Sequence, residues 1–270
     1  MEIIIALFAL FVVGAFFLYF GMFIISFLDD LWIAVFQKPL YIHLYFRTQK
    51  ITPEEAYYLR QHFPFYHKLS PKHKTYFEHR VASFHQNYPI IPRDSFQVDT
   101  QVQTLIAGTY VMLTFGMRRY LVDSFDKIIV YPEAYYSTYN EQYHKGEFNP
   151  GLKAVVFSWK DFVSGYEVDN DNLNLGIHEF AHVIHHHSLK NNDGSALAFR
   201  KHYDKLKQEV NHPPNRQRLI DSDYFRIYAY TNPFEFISVI IEHYFETPDA
   251  FKSHFPELYG HVSKMLNHKH

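Results

Sequence analysis

His178-Glu179-Phe180-Ala181-His182 sets two imidazoles four positions apart, with a carboxylate directly after the first. On a helix, residues four apart lie on one face, so both imidazoles can reach one ion. Glu179 is rotated off that line. It stands clear of direct ligation but within reach of a water beside the ion. Neutral imidazole suits zinc, and an open zinc site lowers the pKa of a bound water from about 15.7 to about 7. A neighbouring carboxylate can take the proton such a water gives up. The pattern H-E-x-x-H therefore reads as hydrolytic metal chemistry, with one Zn2+ per chain. The chain holds 19 His among 270 residues. Chance alone then supplies about 0.08 copies of the pattern, so its context must carry part of the argument.

Three ligands require a third residue. The extension that places Gly three positions after the second His, and a third His three further on, fails here, because those positions are His185 and Ser188. His185 shares a face with His178 and His182 and is a competing candidate, although a packed or solvated His is commoner. A downstream carboxylate is the other solution. Glu235, Glu242 and Glu246 lie on one apolar stretch that opens at Asn232-Pro233 and stops before Pro248. Glu235 and Glu242 are seven apart and share nearly one face, so periodicity leaves both open.

The elements that must position these groups can be read from local signals. Asp171-Asn172 reads as the cap of a helix running through His187, which carries the motif. Thr52-Pro53-Glu54-Glu55 and Ser70-Pro71 open two earlier helices. Residues 99–116 are a third helix, with Val102, Leu105, Ile106, Thr109 and Leu113 on one face. Residues 128–131 and 154–159 read as buried strands. The sum is an α+β, mainly helical domain with a small sheet over the metal-binding helix.

Composition narrows the classes further. Apolar residues make up 47% of the chain, enough for a substantial core. A net charge of −2 lacks the basic excess of a nucleic-acid binder, so no nucleic-acid partner is expected. There is no Cys, which rules out disulfides, Cys-ligated zinc and thiol catalysis. The remaining histidines, His185 to His187, His268 and His270 among them, show no repeated spacing, which argues against metal storage. Residues 3–28 contain no charged side chain. As a helix they span about 39 Å, against a hydrocarbon core of roughly 30 Å. No basic residue precedes them and no small-x-small site follows, so an uncleaved transmembrane anchor is expected rather than a signal peptide. Residues 29–51 are then juxtamembrane and 52–262 the catalytic domain. Lys38, Arg47 and Lys50 follow the span, which places that domain in the cytoplasm by the positive-inside tendency.

Several segments together resemble the zinc peptidases of the Mlc titration factor A family. They are FPFYHKLSPKHKTYF at 63–77, IIVYPEAY at 128–135, VFSWKDF at 156–162, LGIHEFAH at 175–182 and YAYTNPFEFISVIIEHYFE at 228–246. The resemblance implies a zincin-like metallopeptidase fold related to lethal-factor-type peptidases, acting on peptides or proteins in an aminopeptidase-like manner. It implies Glu235, within Asn232-Pro233-Phe234-Glu235-Phe236, as the third zinc ligand beside His178 and His182. It implies Glu179 as general base and Tyr228 near the metal, where a phenol could donate to an oxyanion. It also implies that residues 154–159, with Val155, Val156 and Phe157, form an edge strand that pairs with substrate. Family members usually carry Asp where this chain has His185, and they need no anchor. The alternative reading is a membrane-tethered regulatory protein that sequesters a partner such as a transcriptional repressor.

Overall fold

The computed structural model describes residues 1–36, 38–137, 141–167 and 170–268. It opens with α1 (Glu2–Phe36), then α2 (Pro53–His62), α3 (Pro64–Lys68), α4 (Pro71–Asn87), β1 (Ile90–Pro92) and α5 (Thr100–Thr114). Next come β2 (Lys127–Tyr131), β3 (Tyr135–Ser137), β4 (Gln142–His144), β5 (Gly146–Asn149), β6 (Ala154–Ser158) and α6 (Trp159–Glu167). The helices α7 (Leu175–Lys190), α8 (Gly194–Asn211) and α9 (Pro213–Asp221) precede a 3-10 turn at Ile227–Tyr230. The chain closes with α10 (Pro233–Glu246), α11 (Pro248–His254) and α12 (Pro256–Leu266). The architecture is mainly helical α+β.

Local chemistry explains most boundaries. Thr52 and Glu55 form a reciprocal capping box at α2, followed by Pro53. The Ser70, Asp99, Asp193 and Asn232 side chains cap α4, α5, α8 and α10. The start of α7 differs from the reading at Asp171-Asn172. Asn172 has φ 57°, a left-handed residue in the approach loop, and Asp171 accepts from Leu173 N–H. Asn174 is the cap, accepting from Ile177 N–H at 3.0 Å, and the helix runs on to Lys190. Trp159 leaves the strand and begins α6.

The main sheet has the order β1-β2-β6-β5. The first three strands are parallel, with Ile128 opposite Val155; β5 is antiparallel to β6, with Phe148 opposite Val155. This corrects the substrate-strand expectation. Val155, Val156 and Phe157 are bonded to β2 on one side and β5 on the other and are buried, so no free edge is left there for a peptide. The edges of this sheet are β1 and β5, and β5 is the one beside β6.

Helix α5 runs through the centre, buried along nearly its whole length. Its C-terminal carbonyls are capped by Arg80 of α4, a fully buried side chain. The guanidinium donates to the carbonyls of Thr114 (2.9 Å), Phe115 (3.2 Å) and Met117 (2.9 Å), and to Tyr45 Oη (2.7 Å). A cation at a helix C-terminus satisfies the unpaired carbonyls and the helix dipole together. Through Tyr45 the same side chain draws in the segment before α2, where Gln49 N–H also donates to His79 Nδ1. The packed domain therefore begins upstream of Thr52. At the other end, Asn267 donates to the Gly116 carbonyl and closes the C-terminus onto the core.

Helix α1 is long and apolar enough over Ile3–Phe36 to cross a membrane. It continues past Leu28 to Phe36 without a break. Asp29 is buried, pairs with Arg118, and accepts from Leu40 N–H at 3.0 Å.

Candidate active site

Helices α7 and α10 pack side by side, and the site lies along their seam. Asn174 starts α7 and puts His178, Glu179 and His182 in its first two turns. Asn232 starts α10, accepting from Phe234 and Glu235 N–H at 2.9 and 3.1 Å, and so fixes Glu235 in its first turn. Three donor atoms converge. His178 Nε2 lies 3.0 Å from Glu235 Oε2 and 3.2 Å from His182 Nε2, and His182 Nε2 is 3.6 Å from Glu235 Oε2. Among the described residues this is the one His/Cys/Asp/Glu group whose donor atoms all cluster this closely. Atoms held about 2.1 Å from a tetrahedral ion stand about 3.4 Å apart, so the spacing fits a metal of zinc's size. Two imidazole nitrogens and a carboxylate form the donor set of open zinc sites.

Glu242 meets the other face of His178. Its carboxylate is 1% exposed and accepts from His178 Nδ1 at 2.7 Å. It also accepts from Arg226 Nη2 (2.7 Å), Arg226 Nη1 (3.1 Å) and the Asn174 N–H (3.0 Å). With Nδ1 donating to Glu242, Nε2 is the nitrogen turned toward the cluster. Glu235 and Glu242, inseparable by periodicity, thus flank opposite nitrogens of one ring. Ser238 does the same for His182, its Oγ lying 3.1 Å from Nδ1.

The electrostatics favour a cation. Burial works against charge on His178, but the bonds to Glu235 and Glu242 outweigh it and raise its pKa to about 10. Burial opposes ionisation of Glu235 too, yet His178 and His182 hold it well below the usual carboxylate range. Glu179 behaves oppositely: burial pushes its pKa up against the pull of both histidines. A carboxylate raised toward neutrality is suited to accept and return a proton.

Glu179 is bound to the sheet. Ser158 N–H donates to the Lys145 carbonyl, so Lys145, Glu147 and Asn149 turn their backbone groups toward β6. Phe148 then points its N–H outward, and it donates to Glu179 Oε2 at 2.9 Å. Gly146 leaves the carboxylate its room. A Cβ there would stand 3.1 Å from Glu179 Cγ and 2.6 Å from Leu175 Cδ1.

Tyr228, in the 3-10 turn, is half-exposed with its ring 6.1 Å from that of His178. It lines, with His178, Glu179, Gly146 and Arg226, a cleft of about 410 Å³. His185 points elsewhere. Its ring packs against Tyr203 (4.3 Å) and Phe234 (4.6 Å), both of its nitrogens are buried without hydrogen bonds, and burial lowers its pKa to about 4. It is a packed histidine and not a competitor for the ion. His187 pairs with Asp193 at 2.9 Å, and His270 lies outside the described residues. Arg226 is the residue sequence reasoning missed. Nothing in its neighbourhood along the chain marks it, because its role exists only once Glu242 is beside it.

The comparisons agree with this geometry. The curated relatives include an uncharacterized protein of Synechocystis sp., 26% identical over 85% of this chain and 85% of its own length. Mlc titration factor A of Escherichia fergusonii is 22% identical over 73% of this chain and 79% of its own. Mlc titration factor A of Serratia proteamaculans is 22% identical over 66% and 74%. The model of the glucose-regulated metallopeptidases M90 matches residues 42–266, covering every residue of the cluster and the cleft, and the chain belongs to that family.

Proposed function

We propose that the chain is a membrane-anchored, zinc-dependent peptidase with His178, His182 and Glu235 as ligands and Glu179 as general base. The observation that carries this reading is the convergence of three donor atoms beside a buried, pKa-raised carboxylate at the free edge of a sheet. Zinc, when bound, would supply Lewis acidity and make a water nucleophilic near neutral pH. Glu179, steadied by the Phe148 N–H, takes the proton of the attacking water as the new C–O bond forms. It then delivers that proton to the amine as the C–N bond breaks. Tyr228 donates a hydrogen bond from its phenol to the developing oxyanion; burial and nearby Glu235 keep that phenol protonated. Glu242 and Arg226 hold the His178 ring in one tautomer. The Gly146 backbone groups and the Phe148 carbonyl, outward on β5, offer an extended peptide a strand to pair with in place of β6.

The apolar α1 would anchor the chain with the domain on the cytoplasmic side, and peptides or proteins near the membrane would be its substrates. The name shared by several relatives, Mlc titration factor A, favours a second reading: a tethered protein that binds a regulatory partner.

Full-length protein in neutral detergent separates the two. The expected result is about one zinc per chain, peptide hydrolysis in wild type, metal without hydrolysis in Glu179→Gln, and loss of metal in Glu235→Ala. Hydrolysis surviving Glu179→Gln, or wild type without zinc, refutes the enzyme reading and leaves partner binding.

A further inference from the structure

Helix α1 does not leave the domain on a loose tether. Asp29 is buried in an ion pair with Arg118, and Ile33, only 6% exposed, packs on Gly194 at the start of α8. A Cβ at Gly194 would collide with the Ile33 side chain, so glycine allows this approach. The position of α8 relative to the span is therefore set by packing.

The end of the uncharged run at Leu28 gives a depth scale. At ~1.5 Å per residue, Ile33 and Ala34 stand about 7.5 and 9 Å beyond it along the axis. The headgroup layer is roughly 5–8 Å thick on each side of the hydrocarbon core. Trp32, its ring tilted against Phe36 at 4.0 Å, stands at the same level, where aromatic side chains favour the interface.

A groove of about 690 Å³ opens there between α1 and α8. Its apolar lining is Ile33, Ala34, Leu197 and Ala198. Lys201 and Lys205, both exposed and one helical turn apart on α8, also line it. Asp204 is the one acid of the lining, and Arg200 is engaged with the Ser188 and Asn191 carbonyls. Apolar side chains beside two exposed ammonium groups, at the outer boundary of the headgroup layer, match the phosphate end of an anionic lipid.

We propose that this groove binds the headgroup of an anionic phospholipid and so seats α8 on the lipid surface. The proposal rests on α1 being a membrane anchor, and it adds a binding site remote from the metal cluster.

The test uses full-length protein reconstituted in phosphatidylcholine nanodiscs, with and without a minor fraction of phosphatidylglycerol. Lipid retained on the protein after mild delipidation is identified by native mass spectrometry. Wild type is expected to retain phosphatidylglycerol in preference to phosphatidylcholine. The double variant Lys201→Glu/Lys205→Glu is expected to lose that preference by roughly tenfold or more, since each lysine near an anionic surface contributes about fivefold in affinity. Lys72→Glu/Lys74→Glu on α4 is expected to keep it. Inorganic phosphate as competitor is expected to change nothing; displacement by it would identify a free-anion site and overturn the proposal. Equal lipid preference in wild type and the α8 variant would also overturn it. Alkaline extraction of membranes tests the anchor separately. If both proteins stay in the pellet and only the preference test fails, the groove is wrong and the anchor stands. If wild type is extracted, the anchor reading fails and the groove proposal falls with it.

Discussion

Glu242→Gln tests the division of labour between the two glutamates of α10. The carboxylate is buried and takes four hydrogen bonds, from His178, twice from Arg226, and from the Asn174 backbone. A glutamine fills the same space but has one acceptor oxygen, so it keeps one side of this network and turns an N–H toward donors on the other. Each bond to a charged group is worth about 1.5–3 kcal/mol, and breaking a buried ion pair about 3–5 kcal/mol. The Arg226 side chain is 26% exposed, so water recovers part of its loss. The expected destabilisation is accordingly about 3 kcal/mol, read as a shift in the urea midpoint. The three proposed ligands stay in place while His178 loses its orienting acceptor, so zinc affinity is expected to fall about 10–100-fold by chelator competition. Glu235→Ala removes a proposed ligand and is expected to abolish stoichiometric binding. If Glu242→Gln binds zinc within about twofold of wild type, Glu242 does not orient His178 and the reasoning fails. If Glu242→Gln loses the metal while Glu235→Ala keeps it, the two roles are exchanged.

Three further outcomes follow from the packing. Gly146→Ala pushes a methyl group against Leu175 and Glu179, so hydrolysis should fall by an order of magnitude or more while zinc content is unchanged, because misplacing a catalytic group by about 1 Å can cost 100-fold; an unaffected rate would show that Glu179 tolerates displacement. Glu246 is pushed up to about 8, first by burial and then by Glu242. Its proton is held more tightly in the folded chain than in the unfolded one, so the stability it contributes is present below its ordinary value of 4.5 and is lost as pH rises through about 8. Glu246→Gln should therefore gain on wild type in urea unfolding between about pH 5 and pH 9, and a gap independent of pH would contradict the shift. Arg80→Met should cost about 3 kcal/mol or more, because it strips the carbonyls at the end of α5 of their buried donors, and limited proteolysis should then cut within residues 38–51. Wild-type resistance in that segment of the variant would place its anchoring elsewhere.

What the chain declares by itself is what local physics controls. Two histidines four apart share a helix face wherever that helix sits, and Glu179 follows from the same register. Thr52 with Glu55, Ser70, Asp99 and Asn232 mark helix starts because each satisfies N–H groups two or three residues away. At Asp171-Asn172 this reasoning found the right loop and the wrong residue, since several polar residues competed and only the packing of α7 against α10 selects Asn174. The choice between Glu235 and Glu242 lay outside local physics altogether. Seven residues bring a helix back to nearly the same face, and the resemblance alone pointed to Glu235. The two carboxylates are separated by how α10 lies along α7: its first turn meets Nε2 of His178, and a point two turns later meets Nδ1. The strand beside Glu179 was misplaced for a related reason. β6 has the stronger apolar run because it is enclosed on both sides, whereas the edge falls to the short, less apolar β5, and strand order is a property of pairing across the sheet rather than along the chain. Arg226 has no local signature at all: its function is a contact with a residue sixteen positions away, and only the folded chain makes that contact.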